Sequence, residues 1–215
     1  MAVTIFDLLF LATVAICASA LVVGALALAL GHWTTARAVF LGLGAYALIY
    51  TLALVGVGAL SPQRTLPLGQ ARCYDDWCVA VAHTASQATV GAGTTTATAR
   101  GRFLIVTLQV SSHAKRVSQR EHIASLYLLD DAGHRYDVAP AGQRALDASG
   151  QAGQPLDSLV GPGASFTHTL VFDIPADATH LGLVITHSAF PGALIIGDEQ
   201  SVFHRPTLML LNASS

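Results

Sequence analysis

Two cysteines stand five positions apart in "RCYDDWC", and Cys73 and Cys78 are the residues of this chain best suited to covalent chemistry. Three roles fit the pair in isolation: a disulfide, a metal site or a redox switch. In an extended strand their Cα atoms would lie about 16 Å apart, whereas a disulfide requires about 4.4–6.8 Å. A bonded pair therefore demands a tight turn, with Asp75 and Asp76 near its tip, as aspartate's turn preference suggests. For a metal, Cys73, Cys78 and His83 offer ligands, but the spacing matches no standard zinc pattern and no second cysteine pair exists. Redox pairs are typically Cys-x-x-Cys in a thioredoxin-like α/β setting, which is absent here. We expect a structural disulfide that clips the start of a domain. The alternative is a metal-handling or thiol-redox protein using the two cysteines and nearby histidines.

The remaining reactive residues are scattered. Nine histidines occur singly, with no ligand-like spacing. His168 falls on the apolar face of "SFTHTLVFDIP", between Phe166 and Leu170, where a core histidine bonded to backbone is expected. "HAKRVSQRE" gathers Lys115, Arg116 and Arg120 into a basic loop able to meet anionic headgroups or a partner. "GDEQSVFHRP" places Asp198, Glu199, His204 and Arg205 close in sequence, but no nucleophile or oxyanion motif accompanies them, and a salt-linked turn is expected. There is no G-x-S-x-G, P-loop or H-E-x-x-H. No catalytic residue, metal ligand, cofactor or small-molecule substrate is assigned.

The elements that must position these residues begin with an apolar third. Of 215 residues 53% are hydrophobic and only 11% charged, against roughly 25% charged in ordinary soluble domains. A net charge of −2 leaves no basic footprint for nucleic acid. Residues 8–30 and 38–60 carry no charge, and each run, about 34 Å long as a helix, is enough to cross a hydrocarbon core of about 30 Å. They predict a transmembrane hairpin over residues 1–60, with Trp33 and Tyr50 suited to interfacial depth. A signal-peptide reading, with "ASA" at 18–20 as cleavage site, is disfavoured because the apolar run continues for ten further residues and no basic residue precedes it. Cys17 follows the bulky Ile16, which argues against a lipid anchor there. Small residues at Ala20 and Gly24, and at Ala25 and Ala29, have a spacing that lets helices approach closely.

Orientation is contested within the sequence. Arg37 lies in the hairpin loop, while Arg64 and Arg72 follow the second span, a tally that alone favours a cytoplasmic C-terminal region. A persistent disulfide favours the oxidising side. We expect both termini outside the cytoplasmic membrane of a bacterium, with the C-terminal domain in the periplasm.

Residues 61–72, with two prolines and a glycine, read as a stalk. Residues 73–215 read as an all-β sandwich. In "FLIVTLQV", Leu104, Val106, Leu108 and Val110 share one face. "SLYLLDDAGHRYDV" reads as a hairpin, "SFTHTLVFDIP" and "HLGLVIT" as strands, and "ALIIG" and "TLMLL" as two more. Residues 86–101 and 141–158 are expected as connections, and no soluble helix is expected.

Three stretches, "RGRFLIVTLQV", "LYLLDDAGHRYDV" and "LVGPGASFTHTLVFDIPADATHLGLVI", carry a recurring punctuation. It consists of Asp130, Asp131, Gly133 and Tyr136, then Pro162 and Gly163, then Phe172, Asp173 and Pro175. Over roughly residues 100–186 the chain resembles the telokin-like, immunoglobulin-fold accessory domain of bacterial secreted and membrane-anchored proteins. It departs in having "SSHAKR" where that family usually places an Asn-containing turn. The resemblance implies an immunoglobulin-like fold outside the cytoplasm and brings no catalytic residues. Together these readings predict a membrane-anchored, non-enzymatic module that contacts the bilayer and another membrane or periplasmic protein, as an accessory subunit.

Overall fold

In a computed structural model of the protein, residues 5–74, 76–93, 95–120, 125–186 and 190–211 are described. Their contacts divide the chain into two units, Met1–Gln63 with Ala189–Pro206, and Arg64–Ser188 with Thr207–Ser215.

The first unit is built on α1 (Ile5–Ala29) and α2 (Trp33–Leu60), both long and apolar enough to cross a membrane. The buried positions are few, Thr13, Gly24 and Ala27 on α1 and Ala36 and Leu54 on α2, a narrow stripe on each helix, while Gly58 of α2 is buried against Val202. Gly24 lets the Phe40 ring approach, for a Cβ there would stand 2.7 Å from it. Gly24 is thus spent inside the hairpin, while Ala25 and Ala29 face outward. Thr13 bonds the Leu9 carbonyl and pairs with the Tyr46 hydroxyl at 2.8 Å, which satisfies two polar groups between apolar helices. The remaining surface is oily: Leu11, Leu41, Ile49 and Leu52 are all exposed.

The second unit is a β-sandwich. One sheet has the order β1-β9-β8-β5-β6 and the other β2-β3-β4-β7, formed by β1 (Thr65–Leu66), β2 (Arg72–Tyr74), β3 (Trp77–Val90), β4 (Ala97–Ser112), β5 (Ser125–Leu129), β6 (Arg135–Asp137), β7 (Ser165–Ile174), β8 (Gly182–Thr186) and β9 (Leu208–Leu210). The alternation read from the sequence is what fills the space between the sheets. Leu104, Val106, Leu108 and Val110 meet Leu170, Phe172, Ile174, Leu183 and Ile185 there.

Several expectations are corrected. The Ala/Thr/Gly stretch 86–101 is mostly strand: β3 and β4 extend through it to the pair Val90↔Ala97, since threonine suits a pleated surface. The 61–72 segment contains β1, which pairs in parallel with β9. "ALIIG" is not a strand; Gly192–Leu194 is a 3₁₀ turn within the helical unit. The polar stretch from 141 begins with a helix, α3 (Pro140–Ala148), opened by proline at its first turn. Nine residues are too few to declare a period, yet Gly142, Ala145 and Leu146 face inward. With Phe103 and Val171 they make a second core on the outer face of the four-stranded sheet. The Gln143 amide donates to Thr169 O and accepts from Val171 N, occupying the open edge of β7.

The punctuation residues have local work. Asp130 accepts from His134 N, His134 Nδ1 and Tyr136 Oη at 2.8–2.9 Å, closing the β5–β6 hairpin around Gly133 at φ +83°. Partial burial pushes the Asp130 carboxyl up, but these hydrogen bonds outweigh it and hold it down to about 2. Asp173 accepts from Arg100 N and Gly101 N and from the Arg100 side chain, which overcome burial and lower its carboxyl too.

Candidate functional site

At the start of the sandwich, β2 and β3 form a hairpin in which Cys73 stands directly opposite Cys78, and the two are joined by a disulfide. Tyr74 and Trp77 form the pair that closes the turn, and Asp76 lies in it; Asp75 lies outside the described residues. Trp77 is fully buried in the core, which holds the hairpin to the domain. Tyr74 Oη and Arg72 Nη1 both donate to the Ile185 carbonyl of β8, so this short arm is tied to the second sheet.

The neighbour of this clip comes from the far end of β4. His113 N donates to Asp76 O at 2.7 Å, and His113 Nδ1 stands 3.6 Å from Cys78 Sγ. The ligand atoms of Cys73, Cys78 and His113 lie within 4.8 Å of one another. His83, the histidine suggested by sequence proximity, is instead an exposed β3 residue opposite Thr107, about 16 Å along the strand from Cys78.

Lys115, Arg116 and Arg120 follow His113, all exposed. Lys115 and Arg116, with Asp76, His113, Val117 and Gln119, line a cleft of about 530 Å³. Two backbone bonds between Gln119 and Val160 brace the loop. The disulfide and the basic loop, distant in sequence, thus lie together at one end of the β3–β4 pair. Among the described residues the cleft carries two cations, Lys115 and Arg116, against one carboxylate, Asp76, an arrangement suited to an anionic ligand or an acidic protein surface.

Two of the other residues singled out in the sequence, Asp198 and His204, make local hydrogen bonds. Asp198 Oδ1 accepts from Gln200 N, and His204 Nδ1 donates to the Arg205 carbonyl, so carboxylate and imidazole are committed to separate local bonds. His168 borders a cavity of about 420 Å³ with Gln143, Asp147, Ala152 and Gly153. Its Nδ1 is buried without a partner among the described residues, and burial lowers its basicity against the pull of nearby backbone and Asp147.

A family profile described as "Domain of unknown function (DUF4352)" matches residues 67–194. Among solved structures, a conserved hypothetical protein from Bacillus anthracis is similar with TM-score 0.46 and 12% identity, covering 57% of this chain and 91% of that one. An uncharacterised β-sandwich protein from Clostridium difficile aligns with TM-score 0.42 and 10% identity, over 71% and 96% of the two chains. MPT63, a secreted protein from Mycobacterium tuberculosis, aligns with TM-score 0.42 and 16% identity, over 60% and 92%. No curated protein matches the chain.

Proposed function

The chain belongs to the family described as a domain of unknown function, DUF4352, and from that premise we propose a membrane-anchored, non-enzymatic β-sandwich module that presents its disulfide-clipped, basic end to an acidic surface on another membrane or periplasmic protein. The observation that carries this reading is the pairing of two apolar helices with outward-facing oily side chains and a sandwich clipped by Cys73–Cys78. Apolar helices satisfy their own backbone in lipid, and disulfides persist in oxidising compartments. In this reading both spans remain in a bacterial cytoplasmic membrane and the module stands in the periplasm. The resemblance of residues 100–186 to the telokin-like, immunoglobulin-fold domain supports that placement.

The test is labelling with a membrane-impermeant maleimide. A single cysteine replaces Ala132 at the exposed β5–β6 turn in a Cys17→Ala background. Labelling of the new cysteine from the periplasmic side of intact cells is expected. Labelling only after lysis overturns the orientation. Crosslinking in gentle detergent then identifies the partner, whose loss on charge reversal at Lys115, Arg116 and Arg120 is expected.

A second reading is favoured by one observation, the convergence of Cys73, Cys78 and His113. Once a thiol reductant has opened the disulfide, two thiolates and an imidazole suit a soft cation such as Cu(I) or Zn(II). Metal analysis of the protein before and after reduction separates the readings: metal uptake that requires the reduced cysteines and His113 supports this one.

A further inference from the structure

We propose that residues 190–206 form a third lipid-embedded element, which dips into the leaflet beside the C-terminal half of α2 and exposes Phe190, Leu194, Val202 and Phe203 to acyl chains. This rests on reading α1 and α2 as membrane spans.

The segment connects β8 to β9, yet its contacts group it with the helices. The Tyr50 hydroxyl donates to the Leu194 carbonyl at 2.7 Å, Gly58 packs against Val202 O, and Phe6 stands beside Gly197. At the end of α2, Gln63 Nε2 donates to Pro206 O at 3.0 Å. Tyr50 lies ten residues before Leu60, about 15 Å along the helix axis, which is roughly half of a hydrocarbon core of about 30 Å. The contacts from Pro206 back to Leu194 therefore run from the helix end toward the middle of the span. Tyr50, expected at interfacial depth from its type alone, instead has its hydroxyl satisfied by this segment, where an unpaired hydroxyl would be costly.

Burial within the segment is mixed, with Ile195 and Ile196 buried and Arg205 exposed, but its two phenylalanines face outward. Ser201 is 4% exposed and Asp198, Glu199 and Gln200 are half-buried, while Phe190 is 74% and Phe203 68% exposed, with Leu194 and Val202 exposed as well. Asp198 is folded inward, its carboxylate bonded to Gln200 N and close to Gly192. Exposed phenylalanine, leucine and valine side chains beside half-buried polar groups suit an acyl-chain environment better than water. Non-helical backbone at such depth is tolerated where protein covers it, and α2 covers it here.

The experiment uses the full chain in phospholipid nanodiscs with Cys17→Ala and the disulfide intact. Nitroxide labels are placed one at a time at Phe190→Cys, Leu194→Cys and Phe203→Cys. Leu52→Cys on the outer face of α2 is the lipid reference and Asp137→Cys on β6 the water reference. Collision with oxygen and with a water-soluble nickel chelate is measured. The ratio at all three positions is expected to shift to the Leu52 value. A ratio equal to that of Asp137, with Leu52 still lipid-like, overturns the proposal and leaves the anchor reading standing. Water-like values at Leu52 too overturn the anchor reading itself. Labels shielded from both reagents show a protein surface over the segment, another copy of the chain included, and also overturn the proposal.

Discussion

Cys73 and Cys78 face each other across an antiparallel hairpin, directly opposed in register with Cα atoms 3.9 Å apart, closer than the usual range of about 4.4–6.8 Å. The bond closes a loop of very few residues, so chain entropy limits its contribution to about 2 kcal/mol. The double variant Cys73→Ala, Cys78→Ala is expected to fold and to lose about that much stability. Urea unfolding in detergent, followed by Trp77 fluorescence in a Trp33→Phe background, measures it. A loss several times larger would show that the clip organises more than its own hairpin.

Asp130 gives a pH dependence with a definite sign. Its carboxyl titrates at about 2 in the folded chain and at about 3.9 in an unfolded one. The folded value is depressed, so its contribution is present above about pH 4 and is lost as pH falls toward about 2. Asp173, also depressed, adds loss of the same sign. Asp130→Asn should flatten the fall in stability over that window without abolishing it, as urea unfolding at a series of pH values would reveal.

The unexpected helix α3 matters to packing. Leu146 is 3% exposed in the outer core with Val90, Phe103 and Val171. Leu146→Ala is expected to cost about 2–5 kcal/mol, the range for truncating a buried leucine. A cost near zero would mean that α3 is a loose connection, as residues 141–158 suggest when read without their partners.

Of two glycines two positions apart on α2, only one should respond to an added methyl. A Cβ at Gly58 would meet the Val202 carbonyl and must displace backbone, whereas a Cβ at Gly56 has nothing within 4 Å. Gly58→Ala is expected to displace residues 202–204 at a cost of about 1–3 kcal/mol, the scale of overpacking. Gly56→Ala should be neutral. Limited proteolysis in detergent reports the difference as faster cleavage within 190–206 in the first variant only.

Charge reversal of Lys115, Arg116 and Arg120 to glutamate touches exposed side chains alone. Stability should change by less than about 0.5 kcal/mol per site. Crosslinking to the partner should fall, most clearly at low salt, where exposed charges are least screened.

What the sequence by itself determined were the features carried by neighbours in the chain. Two 23-residue uncharged runs suffice for apolar helices, because a helix satisfies its backbone within its own segment. The period-2 patterns of Leu104 to Val110 and Phe166 to Ile174 suffice for the face each strand turns toward the other sheet, though not for the outer face on which Phe103 and Val171 are also buried. The Cys73–Cys78 turn closes within a few residues. The tertiary structure decided what depends on distant groups. His113 rather than His83 meets Cys78, because antiparallel pairing of β3 with β4 returns residue 113 to the hairpin. Residues 141–148 become helix because Phe103 and Val171 supply an apolar surface for a stripe too short to announce itself. "ALIIG" has the composition of a strand, but the hydrogen bond that its Leu194 carbonyl accepts comes from Tyr50 on a helix rather than from a sheet edge, and a partner so remote leaves no trace in local pattern.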